Sequence, residues 1–414
     1  MKRRLSIVMT LLLLVSVSGC GSPRPTPKPV QGTEAPPVIT LWHYYQGSAR
    51  RGLEQAVKNL NDSNPPYHLQ LQYIPKADYY QMINQGQAAD KGPDLFLVDQ
   101  SQIPQLFVSG VIQPVDNTFT YSNYFQAAIA AVTFSGNILA VPKSINVPLL
   151  AYNKQLVAKA PSSFAELLKD AASNSSAFNS TTVGLSGDLS NLFLSGAWYA
   201  GFGGQFYNDS AQPTLDTPQV LNFLQGIVSL AALKAGSYDP VASRSMLLGG
   251  SVPFGLISSA ELKQYQSSKT LAFSALPQPN MTTGATTASS PTGANYVQVE
   301  GFAVSANTKF AAAAAAAAAY LTSPQAVDLY SVPQGEFPAE PAAYTTGALQ
   351  KSAVAQTIKN IASTGAGYPL DARTNLLLPI LSQMIQAVIK GTAPIQAMQA
   401  GQIKANKAFG ITSP

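Results

Sequence analysis

Cysteine is almost missing from this chain: Cys20 is the only one among 414 residues. A single thiol makes no internal disulfide, so a small disulfide-stapled framework and a cysteine-based zinc site are both excluded. Histidine is nearly as scarce, with His43 and His68 alone, and a Ser–His–Asp triad or a His-rich metal centre has little to draw on. No phosphate-cradling glycine motif follows a strand, because "GFGGQF" at 201–206 lacks the spacing and reads as a turn. Few acids stand beside aromatic clusters, and Asp94 and Asp99 only flank a strand, which weighs against glycoside hydrolysis. Signatures of an enzyme, a metal site or a bound cofactor are therefore thin. Charged residues are few, at 11%, yet 46% are hydrophobic, enough for two globular lobes and too balanced for wholesale disorder.

What is present begins with Lys2, Arg3 and Arg4 ahead of "LSIVMTLLLLVSV", an apolar run shorter than the roughly 20 residues that span a membrane as a helix. Residues 1–19 therefore read as a secretory signal peptide. The run ends in "VSGC", which resembles the bacterial lipobox, and that resemblance makes Cys20 the lipidated N-terminus of the mature chain. The proline-rich residues 20–37 form an extended, semi-rigid tether. Without residues 1–19 the chain keeps 22 basic against 20 acidic side chains, a net charge of +2, and nothing points to nucleic acid.

From residue 38 strand and helix signals alternate. "VITLW" is strand-like, and Ser48 is a candidate cap for a helix carrying Leu53, Ala56, Val57 and Leu60 at helical spacing. "HLQLQYI" alternates with period two, a helical stretch runs through Tyr80 and Ile83, and "PDLFLVD" reads as a buried strand before the short helix in "SQIPQLFVSG". This rhythm implies a parallel sheet in an α/β fold. Ser163 and Glu166 form a capping-box pattern, and Thr217 with Pro218 opens another helix. The nine alanines at 311–319 form a helix, whereas the Ser, Thr and Gly run at 281–294 forms a loop.

The order of "ITLWHYY", "GPDLFLVDQSQIPQLFVSGVIQPVD", "ILAVPKSINVPLLAYNKQLV", "SFAELLKDA", "GFGGQFYNDSAQPTLDTPQVLNFLQG" and "VEGFAVSANTKFAAAAAAAAAYLTSPQAVDLY" resembles the family 1 extracellular solute-binding proteins of ABC importers, of the maltose-binding-like type. The resemblance covers nearly all of residues 38–410. It implies a two-lobe periplasmic-binding-protein fold (type II), with the ligand cleft between lobes joined by a hinge that the chain crosses more than once. Lobe 1 would comprise 38–146 plus 303–340, and lobe 2 would comprise 147–302 plus 341–414. The expected protein is a monomeric lipoprotein on the outer side of the bacterial membrane, at the cell surface or in the periplasm. It would capture a small solute, in the first place a carbohydrate, and hand it to permease subunits.

The same resemblance assigns binding positions one at a time. Trp42, Tyr44 and Tyr45 would offer ring faces to a sugar and Gln46 hydrogen bonds; strand alternation sends Trp42 and Tyr44 the same way. Asp99, Gln100 and Ser101 would form a polar loop, and Asn146 would stand at the first crossing. Asn191, Phe193 and Trp198 would face the cleft from lobe 2, Glu300 would begin the return crossing, and Phe337 would lie near the third. "FGLISSAEL" carries Ser258 where many sugar-binding relatives have a tryptophan, which favours a smaller or less extended ligand. The alternatives are the same fold with a peptide, a polyamine or an iron complex, the last through Tyr79 with Tyr80 or Tyr44 with Tyr45; a sensor lipoprotein; and a lipid-anchored glycosidase.

Overall fold

The computed structural model describes residues 36–115, 119–177, 183–236, 238–279 and 295–411. The signal, lipobox and most of the tether, and the 281–294 run, lie outside these residues. Strand β1 (Val38–His43) leads through α1 (Gly47–Asp62), β2 (His68–Tyr73) and α2 (Tyr79–Ala88) to β3 (Leu95–Asp99) and α3 (Ile103–Val108). Short strands β4 (Ile112–Gln113), β5 (Thr133–Phe134) and β6 (Asn137–Ile138) accompany α4 (Gln126–Ala130). The chain then runs along β7 (Val141–Asn146) into β8 (Pro148–Asn153), and on through α5 (Phe164–Ala177), β9 (Leu185–Ser186), α6 (Leu192–Gly201), α7 (Pro218–Ala232), α8 (Pro240–Leu248), β10 (Phe254–Ser258) and β11 (Leu271–Ser274). It returns in β12 (Tyr296–Ser305), followed by α9 (Ala311–Thr322), α10 (Pro324–Tyr330), β13 (Phe337–Pro338), α11 (Gly347–Lys351) and α12 (Ala353–Thr364), and ends in β14 (Ala366–Gly367), α13 (Ala372–Ile389) and α14 (Pro394–Ala408).

These elements build two large sheets and a two-stranded ribbon of β5 with β6. The first has the order β13-β7-β12-β3-β1-β2, with β4 and β14 added along β12; the second has the order β11-β8-β10-β9. β1 is parallel to β2 and β3, as the βαβ rhythm predicts, but β12 runs antiparallel between β3 and β7, so the sheet is mixed. Long-range return of the chain supplies this strand, and local periodicity carries no sign of it. Only Val147 separates β7 in the first sheet from β8 in the second, which makes a short first crossing.

Local signals are met with small changes. α1 begins at Gly47 with Gln46 at its cap and no side-chain cap; Ser48 instead accepts a bond from Gln334 Nε2 at 3.0 Å. In α5 the Glu166 amide donates to Ser163 Oγ, while the reciprocal carboxylate bond is taken from Ser162 N at 2.7 Å. Thr217 caps α7 through Val220 N, and the alanine run is helical. Ala355, Ile358, Ile361 and Ala362 of α12 join the apolar cluster of the first sheet. The same cluster holds Leu149, Ile257 and Leu271 of the second sheet, and α12 packs against both α4 and β11, so it touches both sheets, while β12 belongs to the first. The amphipathic face of α12 buries Ala355, Ile358, Ile361 and Ala362 in this cluster. Leu377, Leu381 and Ile385 of α13 pack into the second cluster with Trp198 and Phe223.

Candidate functional site

Three adjacent strands bring the site together. In the first sheet Glu300 of β12 lies opposite Asp99 of β3 on one side and Ser144 of β7 on the other. A bulge between Glu300 and Gly301 shifts the pairing with β7 at this point, and such a bulge re-aims the side chain beside it. Gly301 is required there, since a Cβ would fall 2.7 Å from the Val141 carbonyl oxygen. Two carboxylates opposite each other repel. Burial first, and Glu300 second, push the Asp99 carboxyl above its usual 3.8, with Lys76 opposing.

Glu300 is held by a network that composition and spacing did not reveal. Lys143, fully buried on β7, donates to Glu300 Oε2 and to the Tyr45 hydroxyl, and reaches Glu336 Oε2 at 2.8 Å. The Tyr44 hydroxyl donates to Glu300 Oε1, and Ser331 Oγ donates to Glu336 Oε2 at 2.6 Å. Burial alone would raise the Glu300 carboxyl, but the Lys143 charge and hydrogen bond, helped by Tyr44, outweigh it and hold Glu300 below 4.5. Burial likewise opposes the Lys143 ammonium, and Glu300 with Glu336 overcomes it and raises the group above 10.5. One buried cation thereby ties together β7, β12 and the turn before β13.

Around this network the cleft opens as two cavities that share Asp99, Gln298 and Val299. One, of about 370 Å³, is walled by Ser144, Asn146, Glu300, Glu336 and Phe337; the other, of about 230 Å³, by Ser101, Tyr368, Leu370 and Asn375. A third, of about 400 Å³, lies against the second sheet beside Asn191, Phe193, Ser258, Glu261 and Tyr265. Asn146 joins the two sides, accepting from Ser258 Oγ at 2.6 Å and Ser259 Oγ at 3.0 Å and donating to Gln298 Oε1 at 3.3 Å. The Tyr368 ring meets the edges of Phe193 and Tyr296.

The family model described as bacterial extracellular solute-binding protein matches residues 55–357, well over half of the chain. The chain belongs to that family. A maltotriose-binding protein of Pyrococcus abyssi (strain GE5 / Orsay) is 24% identical over 52% of this chain and 48% of its own length. An sn-glycerol-3-phosphate-binding periplasmic protein of Yersinia pestis bv. Antiqua (strain Antiqua) is 27% identical over 32% of this chain and 34% of its own. The chain thus matches half or less of the length of these curated relatives. A crystal structure of a cyclo/maltodextrin-binding protein complexed with maltotetraose superposes with a TM-score of 0.77 at 17% identity, covering 92% of this chain and all of the other, which shows the shared fold. The family binds solutes outside the cytoplasm; it is not a family of enzymes.

Within this solute-binding protein the expected residues divide. Asp99, Gln100, Ser101, Asn146, Glu300 and Phe337 line the two interlobe cavities, and Asn191, Phe193 and Ser258 line the third. Gln100 is buried with its amide engaged at both ends, accepting from Val299 N and donating to the Tyr368 carbonyl, so it clamps strands instead of facing a ligand freely. Neither tryptophan lines these cavities. Trp42 is 4% exposed and packs against Gly86, and Trp198 is 0% exposed, its indole N–H donating to the Pro277 carbonyl at 2.9 Å and its ring meeting the edge of Phe164. Tyr44 and Tyr45 reach the site only through Glu300 and Lys143, and Gln46 turns outward to Tyr73. Tyr79 is buried, its hydroxyl donating to the Trp42 carbonyl and accepting from Leu97 N. Lys143, Gln298, Glu336, Tyr368 and Asn375 were missed. A lone lysine in the apolar run "AVPKSINVPLLAY" was the one legible sign.

Proposed function

We propose that the protein captures a neutral polyhydroxyl solute, a mono- or oligosaccharide, in the cleft between its two sheets, and releases it to an ABC permease. The observation that carries this reading is the chemistry of the cleft walls. Asp99, Glu300 and Glu336 supply acceptors and Gln298, Asn146 and Asn375 supply amides, beside the rings of Phe337 and Tyr368, while among the described residues no lysine or arginine lines any of the three cavities. Hydroxyl groups donate to carboxylates and accept from amides, and an aromatic face covers the apolar side of a sugar ring. A phosphate ester would meet three carboxylates in these walls, with Lys76, whose charge is felt at Asp99 and Glu300, outside them, so the maltotriose-binding relative is the better guide than the glycerol-phosphate-binding one.

In this reading β7, β12 and β13 act as the hinge, and a ligand that touches both sheets shifts the population to a closed form that a permease recognises. Cys20 carries the lipid, and residues 20–37 hold the binding unit off the membrane. Among the described residues no helix is long and apolar enough to cross a membrane. A thermal-shift screen against mono- and oligosaccharides, with peptides, polyamines, ferric ion and sn-glycerol 3-phosphate as contrasts, tests the ligand class. A saccharide at 100 times its dissociation constant stabilises the fold by about 2.7 kcal/mol. A response to one of the contrasts with none to any saccharide would overturn the carbohydrate assignment.

A further inference from the structure

The wall of the cavity of about 370 Å³ holds three carboxylates, Asp99 from the end of β3, Glu300 from β12 and Glu336 from the turn before β13. Two of them are gathered at one point behind the wall. Lys143 Nζ donates to Glu300 Oε2 and, at 2.8 Å, to Glu336 Oε2. The other oxygen of Glu300 accepts from the Tyr44 hydroxyl, and Glu336 Oε2 also accepts from Ser331 Oγ. Asp99 is held independently, by the Tyr80 hydroxyl, which accepts from Asp99 N at 2.9 Å and donates to Asp99 Oδ2 at 3.3 Å. Lys143 is not among the wall residues, and with none of its side chain exposed it lies out of a ligand's reach, whereas Glu300 and Glu336 keep part of theirs open to the cavity.

We propose that Lys143 is a positioning residue for ligand binding: without touching the solute, it fixes Glu300 and Glu336 as a preformed pair of acceptors in the cleft wall. The proposal rests on the reading of the cleft given above. Two carboxylates drawn to one ammonium repel each other once it is gone, and both long side chains regain their freedom to turn away. A ligand hydroxyl would then have to order them on binding, which corresponds to a loss of roughly tenfold in affinity for the two side chains together. Protonation is the second consequence. The groups that face Glu300 are Asp99 on β3, Lys143 on β7, Tyr44 and Tyr45 after β1, Lys76 ahead of α2 and, across the Lys143 ammonium, Glu336. Burial favours the neutral form of Glu300, and Lys143 supplies the largest opposing charge. Without Lys143, burial and the facing Asp99 are opposed only by the Lys76 charge and the Tyr44 hydrogen bond, so Glu300 takes up its proton at higher pH.

The test is a calorimetric titration with maltotriose, at neutral and mildly acid pH, of four proteins: the parent, Lys143→Met, the double variant Glu300→Gln, Glu336→Gln, and the triple variant that combines all three changes. A ¹³C-detected pH titration of the Glu300 carboxyl in the parent and in Lys143→Met accompanies it. The expected result is that Lys143→Met binds roughly tenfold more weakly than the parent and loses more affinity on acidification, while the double and triple variants bind alike, because Lys143 then has no carboxylate left to hold. The Glu300 midpoint rises in Lys143→Met. A lysine that served the fold alone would cost the same affinity in both backgrounds, or none, and would leave the pH profile where it was. Equal affinity of Lys143→Met and parent, a triple variant weaker than the double, or an unmoved Glu300 midpoint would each overturn the proposal. The comparison of double with triple variant leaves no unpaired carboxylate, so it decides the matter even if Lys143→Met folds poorly. A parent that binds no maltotriose while the Glu300 midpoint moves would support the positioning role and remove the carbohydrate reading, so the two failures are distinguishable.

Discussion

Replacing Lys143 with methionine removes the charge that joins β7, β12 and the turn before β13. Met keeps the length and apolar character of the side chain, so packing is largely preserved, and Glu300 and Glu336 are left with no cationic partner in the cluster. Breaking a buried ion pair by removing one partner costs about 3–5 kcal/mol, because the remaining charge stays desolvated. Glu300 and Glu336 keep 17% and 27% of their side chains exposed, which places the expected loss at the lower end of that range. For a unit the size of residues 37–414, about 3 kcal/mol corresponds to a fall of roughly 4 °C in melting temperature. The pH dependence has a defined sign. Glu300 is held below its ordinary 4.5, so its contribution is present above that value and is lost as pH falls through the folded-state pKa; Lys143 is raised above 10.5, so its contribution is present below that value and is lost as pH rises through the folded-state pKa. The gap between parent and Lys143→Met is therefore a plateau at neutral pH that closes in acid. The triple variant Lys143→Met, Glu300→Gln, Glu336→Gln recovers most of the loss, since no unpaired charge is left. Differential scanning fluorimetry across pH reads all of this. A Lys143→Met protein that melts within a degree of the parent at neutral pH would refute the reasoning.

Three further outcomes follow from the same contacts. His43 is buried, and burial with the nearby Arg50 charge lowers it from 6.5 to about 4, so its contribution is present above 6.5 and is lost as pH falls toward 4; His43→Gln flattens the melting temperature over that interval, and an unchanged acid slope would contradict it. Trp198→Phe leaves the Pro277 carbonyl unpaired in the second core and costs on the order of 2 kcal/mol in urea denaturation, with ligand affinity of the folded protein unchanged; weakened binding would return Trp198 to the cleft. Phe337→Ala lowers saccharide affinity about tenfold by calorimetry, the equivalent of about 1.4 kcal/mol for a lost ring contact, and equal affinity would remove Phe337 from the site.

Much of the frame was legible because it is local. Helical spacing in α1, period-two alternation in β2 and the apolar run of β3 each follow from one short window. The antiparallel β12 was not, because its place between β3 and β7 depends on partners some 150 to 200 residues away in sequence. Asp99, Asn146 and Glu300 sit at strand ends where polarity interrupts an apolar run, and the structure places all three in the cavity walls. An aromatic residue at a strand end is equally suited to core and cleft, and burial decides: Trp42 and Trp198 went to the core. Lys143 was passed over because a lysine rarely survives full burial, and only Glu300 and Glu336, distant in sequence, make it possible here.

The most direct test of the account is a calorimetric titration of the purified protein with maltotriose and, in parallel, with sn-glycerol 3-phosphate. The account predicts saccharide binding that weakens on Phe337→Ala and changes little with salt, and no binding of the phosphate ester. Binding of glycerol phosphate with no response to saccharides would contradict it, since Asp99, Glu300 and Glu336 in the cavity wall repel a phosphate ester.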